Sequence, residues 1–214
     1  MKKLALVILS LTFFSCSSDD DAATPITPTP VTNSVAYFYS KIDNASVTFD
    51  QNETANPTSV YVPSTSTHSN GGNYYFDYTS GMERNSSDLT NLDITFNNLY
   101  NSATFAEETT NFYTNFNTKP TNFLTATQAT SLVKGISLTY TDSNGDMYST
   151  LDGNQTGSTI SYSSTTNGTG ISGDKTVTIV GTVNCKLYNQ ANITQFKTLT
   201  NGSFKLIFHE ATQF

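Results

Sequence analysis

The sequence predicts an all-β fold, an antiparallel β-sandwich or partly closed barrel with at most one or two short helices. Three observations predict it. Apolar residues recur at every second position through most of the chain, turn-forming Asn, Asp and Gly punctuate those runs, and a helical period is nearly absent. Short strands joined by tight turns pair antiparallel and bury one face each, which is how sandwiches and barrels are built.

In residues 36–42, Ala36, Phe38 and Ile42 fall on one side while Tyr37, Tyr39 and Lys41 fall on the other. Asp43-Asn44 interrupts the run, and Val47 and Phe49 resume it. Residues 64–72, which contain His68 and end in paired glycines, read as a polar loop. Tyr74, Phe76 and Tyr78 then alternate with Tyr75, Asp77 and Thr79, and Leu92, Ile94 and Phe96 alternate with Asp93, Thr95 and Asn97. Asp142-Ser143-Asn144-Gly145 joins the strand of Ile136, Leu138 and Tyr140 to Met147-Tyr148.

The longest alternation is Val177, Ile179, Gly181, Val183, Cys185 and Leu187, where a glycine at a core position predicts a bulge or bend. Asn201-Gly202 predicts a type I′ hairpin turn, because both central residues of that turn need positive φ. Phe204, Leu206 and Phe208 form the last inward face, with His209 following on the outward phase. Helical signal is confined to two places. Thr125 and Gln128 have capping-box spacing, Ala129, Leu132 and Val133 share a face, and Lys134-Gly135 forms a stop, so a helix of about two and a half turns is expected. Phe105, Phe112 and Phe116 could line a second helix, but the intervening Asn and Thr leave helix and strand both open.

Ahead of the strands, Lys2 and Lys3 precede an apolar run from Leu4 to Phe14 that is too short for a membrane span of about 20 residues. Such a segment predicts a secretion signal over residues 1–15. Phe13-Phe14-Ser15-Cys16 resembles a bacterial lipobox, with Phe13 where Leu is usual, and the likeness implies that Cys16 becomes the acylated first residue of the mature chain. The following Ser17-Ser18-Asp19-Asp20-Asp21 resembles the acidic run of lipoproteins from the Bacteroidota, which implies an outer-membrane anchor facing the cell exterior, with the periplasmic face as the alternative. Residues 16–34, with Pro25, Pro28 and Pro30, read as a flexible tether spanning about 25 Å. Residues 35–214 read as one domain, able to bury about 70% of the surface an unfolded chain exposes.

Without residues 1–15 the chain carries 8 basic against 17 acidic side chains, a formal −9. An acidic field with no basic cluster argues against nucleic acid as a partner. If Cys16 is lipidated, Cys185 has no partner for a disulfide within one chain, and its inward phase makes it a small core residue. Zinc is disfavoured by one free thiol and two remote histidines, and Asp142 to Asp146 lacks the loop spacing and the glutamate of a calcium-binding EF-hand. No metal or other cofactor is expected.

Catalytic signal is equally sparse. His68 and His209 both read as solvated surface residues, Glu107-Glu108 is an adjacent pair whose side chains diverge, and no nucleophile elbow is present. The residues best suited to binding are outward-phase tyrosines, Tyr37, Tyr39 and Tyr75, the last beside Asp77. Flat rings with a hydroxyl edge stack on sugar faces while carboxylates accept their hydroxyls.

In arrangement, the chain resembles the small β-rich surface lipoproteins of the Bacteroidota whose biochemical activity is unknown. The likeness rests on the lipobox and acidic run, a first strand ending Lys41-Ile42-Asp43-Asn44, the hairpin through Gly135 to Gly145, and the closing pair Val180 to Cys185 and Asn201-Gly202-Ser203-Phe204. It implies a membrane partner through the Cys16 lipid, and because its motifs are structural turns it carries over no site residue. The expected function is a non-catalytic module binding a glycan or protein ligand, with a tethered hydrolase or a passive structural or adhesive component as alternatives.

Overall fold

A computed structural model describes residues 34–52, 59–84 and 88–211. The signal segment, Cys16 and the tether lie outside the described residues, apart from Ser34. The strands are β1 (Ser34–Ile42), β2 (Ala45–Asn52), β3 (Ser59–Asn70), β4 (Asn73–Arg84) and β5 (Asn91–Ser102), followed by helices α1 (Phe105–Asn115) and α2 (Ala126–Thr130). Strands β6 (Gly135–Thr141), β7 (Met147–Ser149), β8 (Thr159–Thr169), β9 (Lys175–Asn189) and β10 (Phe196–His209) complete the order.

All of these strands belong to one sheet in the order β2-β1-β10-β9-β7-β6-β5-β4-β3, with β8 also paired to β9. Every strand pairing is antiparallel. The sheet curls into a half-barrel, so that β3, at one end of the path, packs on β10 and β2 near the other end. That meeting is a seam rather than a ladder. Gln51 Oε1 accepts from the Tyr61 backbone N–H at 2.6 Å, and the Thr65 hydroxyl donates to the His209 carbonyl at 2.9 Å.

The period-two alternation places the core inside the curl. Phe38, Phe76, Tyr78, Ile94, Phe96, Leu138, Ile179, Phe204 and Phe208 are fully buried there. Each such side chain contributes about 1.5 to 3 kcal/mol by leaving water. Helix α1 settles the open question at residues 105–116. It inserts Phe112 and Phe116 into the interior, where Phe116 packs 5.1 Å from the Tyr78 ring, 5.6 Å from Phe208 and 5.8 Å from Phe96. Tertiary packing of these two rings, rather than the helix propensity of their neighbours, holds the segment helical.

Tight turns behave as their residues require, with one correction. Asp43 and Asn44 take φ of 50° and 66°, and Gly71 and Gly72 take 59° and 86°, both the two-positive-φ pattern of primed hairpin turns. Asp142 Oδ1 ties the 142–146 turn by accepting from the backbone N–H groups of Asn144 and Asp146. Asn201-Gly202, in contrast, is not a hairpin turn. It lies within β10, where the register against β9 jumps between Leu199 and Gly202 and Asn201 adopts φ 53°. Positive φ at one Asn serves a bulge as well as a turn, and the β9 to β10 reversal is made instead by residues 190–195, with Asn189 Oδ1 accepting from Ala191 and Asn192.

Two further expectations shift. The bulge predicted at Gly181 falls on the partner strand, between Tyr162 and Ser164, while Gly181 leaves room for the Phe204 ring, which a Cβ would approach to 2.6 Å. The second helix keeps its capping box, Thr125 with Gln128, but α2 spans only Ala126–Thr130, and Leu132 at φ 62° ends it before the predicted stop.

Candidate functional site

At the seam, β3, the start of α1, the β8 to β9 turn and the end of β10 border a half-open cavity of about 470 Å³. Its lining comprises Pro63, Ser64, Thr65 and Thr67 from β3, Phe105 from α1, Asp174, and His209, Glu210 and Ala211. The chemistry is concentrated in Asp174, His209 and Glu210. In the turn between β8 and β9, Gly170 N–H donates to the Asp174 carbonyl at 2.7 Å and Gly173 takes φ 85°. Gly170 is also bare for a reason: a Cβ there would stand 2.4 Å from Asp174 Oδ1.

Asp174 Oδ2 meets His209 Nδ1 at 2.5 Å, with both side chains mostly covered, 12% and 22% exposed. That contact fixes the orientation of the imidazole. The Tyr61 ring stacks on that imidazole at 6.1 Å, and burial, then the Asp174 charge, pushes its phenol pKa up. Glu210 binds through Oε1 to the Lys175 backbone N–H at 2.8 Å. Its Oε2 and the Nε2 of His209 are out of contact with solvent and have no hydrogen-bond partner among the described residues. Such groups cost about 1 to 3 kcal/mol each.

Behind this wall, Glu108 of α1 is fully buried. It accepts from the Tyr78 hydroxyl at 2.6 Å and from the Ala211 N–H at 3.4 Å, joining α1, β4 and the segment that follows β10. Loss of hydration drives its carboxyl pKa up, and the neighbouring Glu210 charge adds to the rise. Glu108 is therefore a correction to the expectation of a solvated Glu107-Glu108 pair: Glu107 is exposed, whereas its neighbour faces the interior.

His209 is the second correction. It stands on the outward phase beside buried Phe208, as its position in the alternation requires, yet β3 crosses over it and the Asp174 carboxylate engages it. His68 lies in strand β3, not a loop. It is exposed, stacks on Tyr75 at 5.5 Å and stands 3.9 Å from Asp77 Oδ2.

The four residues expected to bind a ligand divide into two pairs that no described hydrogen bond or ring contact joins. Tyr37 and Tyr39 stack on each other at 5.1 Å on the outer phase of β1 but are buried, only 7% and 6% exposed, and the Tyr39 hydroxyl donates to Asp50. They offer little surface for stacking. Tyr75 is half-buried under His68, and Asp77 accepts from the Asn98 backbone N–H at 2.6 Å, where Asn98 sits at φ 50° in the β4 to β5 register shift. Asp77 therefore braces a bulge, and burial raises its carboxyl pKa against the opposing effects of Asn98 and His68.

Cys185 is buried and free, and burial pushes its thiol pKa up, which keeps it unreactive near neutral pH. Among the described residues no group of His, Cys, Asp or Glu has the geometry of a metal site, and no helix is long and apolar enough to cross a membrane. Compared with protein-family models, curated proteins and solved structures, the chain matches none of them.

Proposed function

We propose that this chain is a lipid-anchored envelope module that holds a small polar ligand in the seam cavity without transforming it. The single observation carrying the binding role is that cavity of about 470 Å³, mixed in character, with Phe105 and Pro63 beside hydroxyls and carboxylates. Its size lies in the range of small-molecule sites, about 300 to 1,000 Å³. The lipobox-like segment ending at Cys16 and the acidic run behind it support an anchor in the outer membrane, facing the exterior by likeness to Bacteroidota lipoproteins.

Both halves of the reading are open to test. Metabolic labelling with palmitate is expected to mark the protein and to fail in Cys16→Ser, which should also leave the membrane fraction. Backbone NMR of the purified protein against a panel of sugars, amines and short peptides is expected to move resonances of Thr65, Thr67 and Glu210. Perturbation confined to Tyr37, Tyr39, Tyr75 or Asp77 would move the site to the outer face and overturn the cavity assignment.

A hydrolase is the second reading, favoured by one observation, the carboxylate-oriented imidazole at a cavity that also presents Ser64, Thr65 and Thr67. What ranks it second is geometry. Nε2 of His209 is covered, and the Thr65 hydroxyl is committed to the His209 carbonyl rather than to the ring. Hydrolysis of an ester or glycoside panel that disappears in His209→Ala would reverse the order.

A further inference from the structure

The charge inventory of the seam cavity is one-sided, and that asymmetry defines a ligand class. Asp174 and Glu210 bring carboxylates to the lining, and no Lys or Arg lines it among the described residues. Lys175, next to Asp174 in the chain, is engaged elsewhere: its Nζ donates to the Thr109 carbonyl and lies 5.6 Å from the centre of the Tyr113 ring. Asp174 is held by the His209 ring and Glu210 by the Lys175 backbone N–H, and no Lys or Arg side chain pairs with either carboxylate among the described residues. Glu108 adds a third carboxyl just behind the wall, bound at Ala211.

Resting on the cavity reading above, we infer that the seam cavity takes a compact ammonium-bearing ligand, a small amine or an amino sugar. An ammonium carries a positive charge and three donors, which is the complement of a wall that brings two carboxylates and no Lys or Arg. Phe105 provides the aromatic face against which the carbon skeleton or the cation itself packs. The hydroxyls of Ser64 and Thr67 then meet hydroxyls of the ligand where it carries them. The net charge of −7 over the whole chain attracts such a cationic ligand at long range.

Calorimetric titration with matched probes tests the class. Glucosamine is paired with N-acetylglucosamine, and 1,5-diaminopentane with 1,5-pentanediol, on the purified full protein. Each ammonium probe is expected to bind about ten-fold more tightly than its neutral match, a preference that weakens as NaCl is raised. Asp174→Asn and Glu210→Gln keep the bonds to His209 and to the Lys175 N–H. Either substitution should shrink the preference, and together they should bring it within about two-fold, with an unchanged melting temperature showing that the fold survives.

If glucosamine alone of the two cations binds, the ligand is an amino sugar; if both bind, the ammonium suffices, and either result supports the class. Neutral matches binding as tightly as the cations would overturn the ammonium assignment and leave the cavity reading standing. Preference for an anionic probe such as succinate would overturn it as well. Absence of binding by every probe, with no cavity resonance moved by the wider panel, would overturn both.

Discussion

The two histidine regions are built from the same parts and come out differently. His68 and His209 each stack on a tyrosine, Tyr75 and Tyr61, and each faces an aspartate, Asp77 and Asp174. At His68 the carboxylate is 3.9 Å away and already holds a backbone bulge, and the imidazole lies on the open outer face of one hairpin. At His209 the separation is 2.5 Å, and strands distant in sequence converge to wall a cavity. A His and Asp pair thus becomes a site through what closes around it, not through the pair itself.

The strongest way to break the contrast is to remove the support behind the His209 wall. Glu108→Ala strips the acceptor from the Tyr78 hydroxyl and the Ala211 N–H, and should cost about 2 to 4 kcal/mol in urea unfolding. Glu108→Gln retains an acceptor and avoids the cost of burying a carboxyl, so it should be neutral or stabilising at pH 7. Equal losses in both variants would show that Glu108 acts through its charge.

A background slope must be removed before the histidines can be compared by pH. Asp93 of β5 lies over Gly81, and burial, then the Glu83 charge, pushes its carboxyl pKa up to about 6. The folded state therefore holds a proton that the unfolded chain releases from about pH 4 upward. Stability should be highest below that point, fall by about 2 kcal/mol as pH rises to about 6, and level off above, after allowance for solvent screening. Asp93→Asn should flatten this window, measured by urea midpoints from pH 3.5 to 7.5; an unchanged slope would place its origin elsewhere.

Smaller still is the direct comparison. In the Asp93→Asn background, His209→Ala is expected to cost about 1 to 2 kcal/mol through the lost Asp174 bond and Tyr61 contact, whereas His68→Ala stays within about 0.5 kcal/mol. Similar values for the two would erase the distinction between the regions.

The contrast also marks what was legible in the sequence. Alternation identified the inward residues of β5, β9 and β10 and of β4 from Phe76 onward, because one face of each is buried there, whereas in β1 the outer-phase Tyr37 and Tyr39 are buried too and Tyr74 at the start of β4 is exposed. It did not reveal the seam, which depends on sheet curl and on β3 passing over the end of β10. Treating Asn201-Gly202 as a turn would fold His209 back toward Thr194. The observed register instead sets His209 opposite Thr176, which puts Asp174, two residues earlier on the same face, beside the ring. A one-residue bulge within β10 is therefore what separated Asp174 from view. Likewise, Glu108 reads as exposed in a run of Glu, Thr and Asn, and only the insertion of Phe112 and Phe116 turns that face of α1 inward.

The central claim is that the His209 seam, and not the His68 hairpin, receives the ligand. Histidine-ring NMR, with both imidazoles assigned through His68→Ala and His209→Ala, reads the two regions in one experiment while glucosamine and the neutral sugars are titrated. Saturable movement of the His209 ring signals with the His68 ring unmoved is the predicted result. Movement of the His68 ring alone, or of both rings to the same extent without saturation, would contradict it.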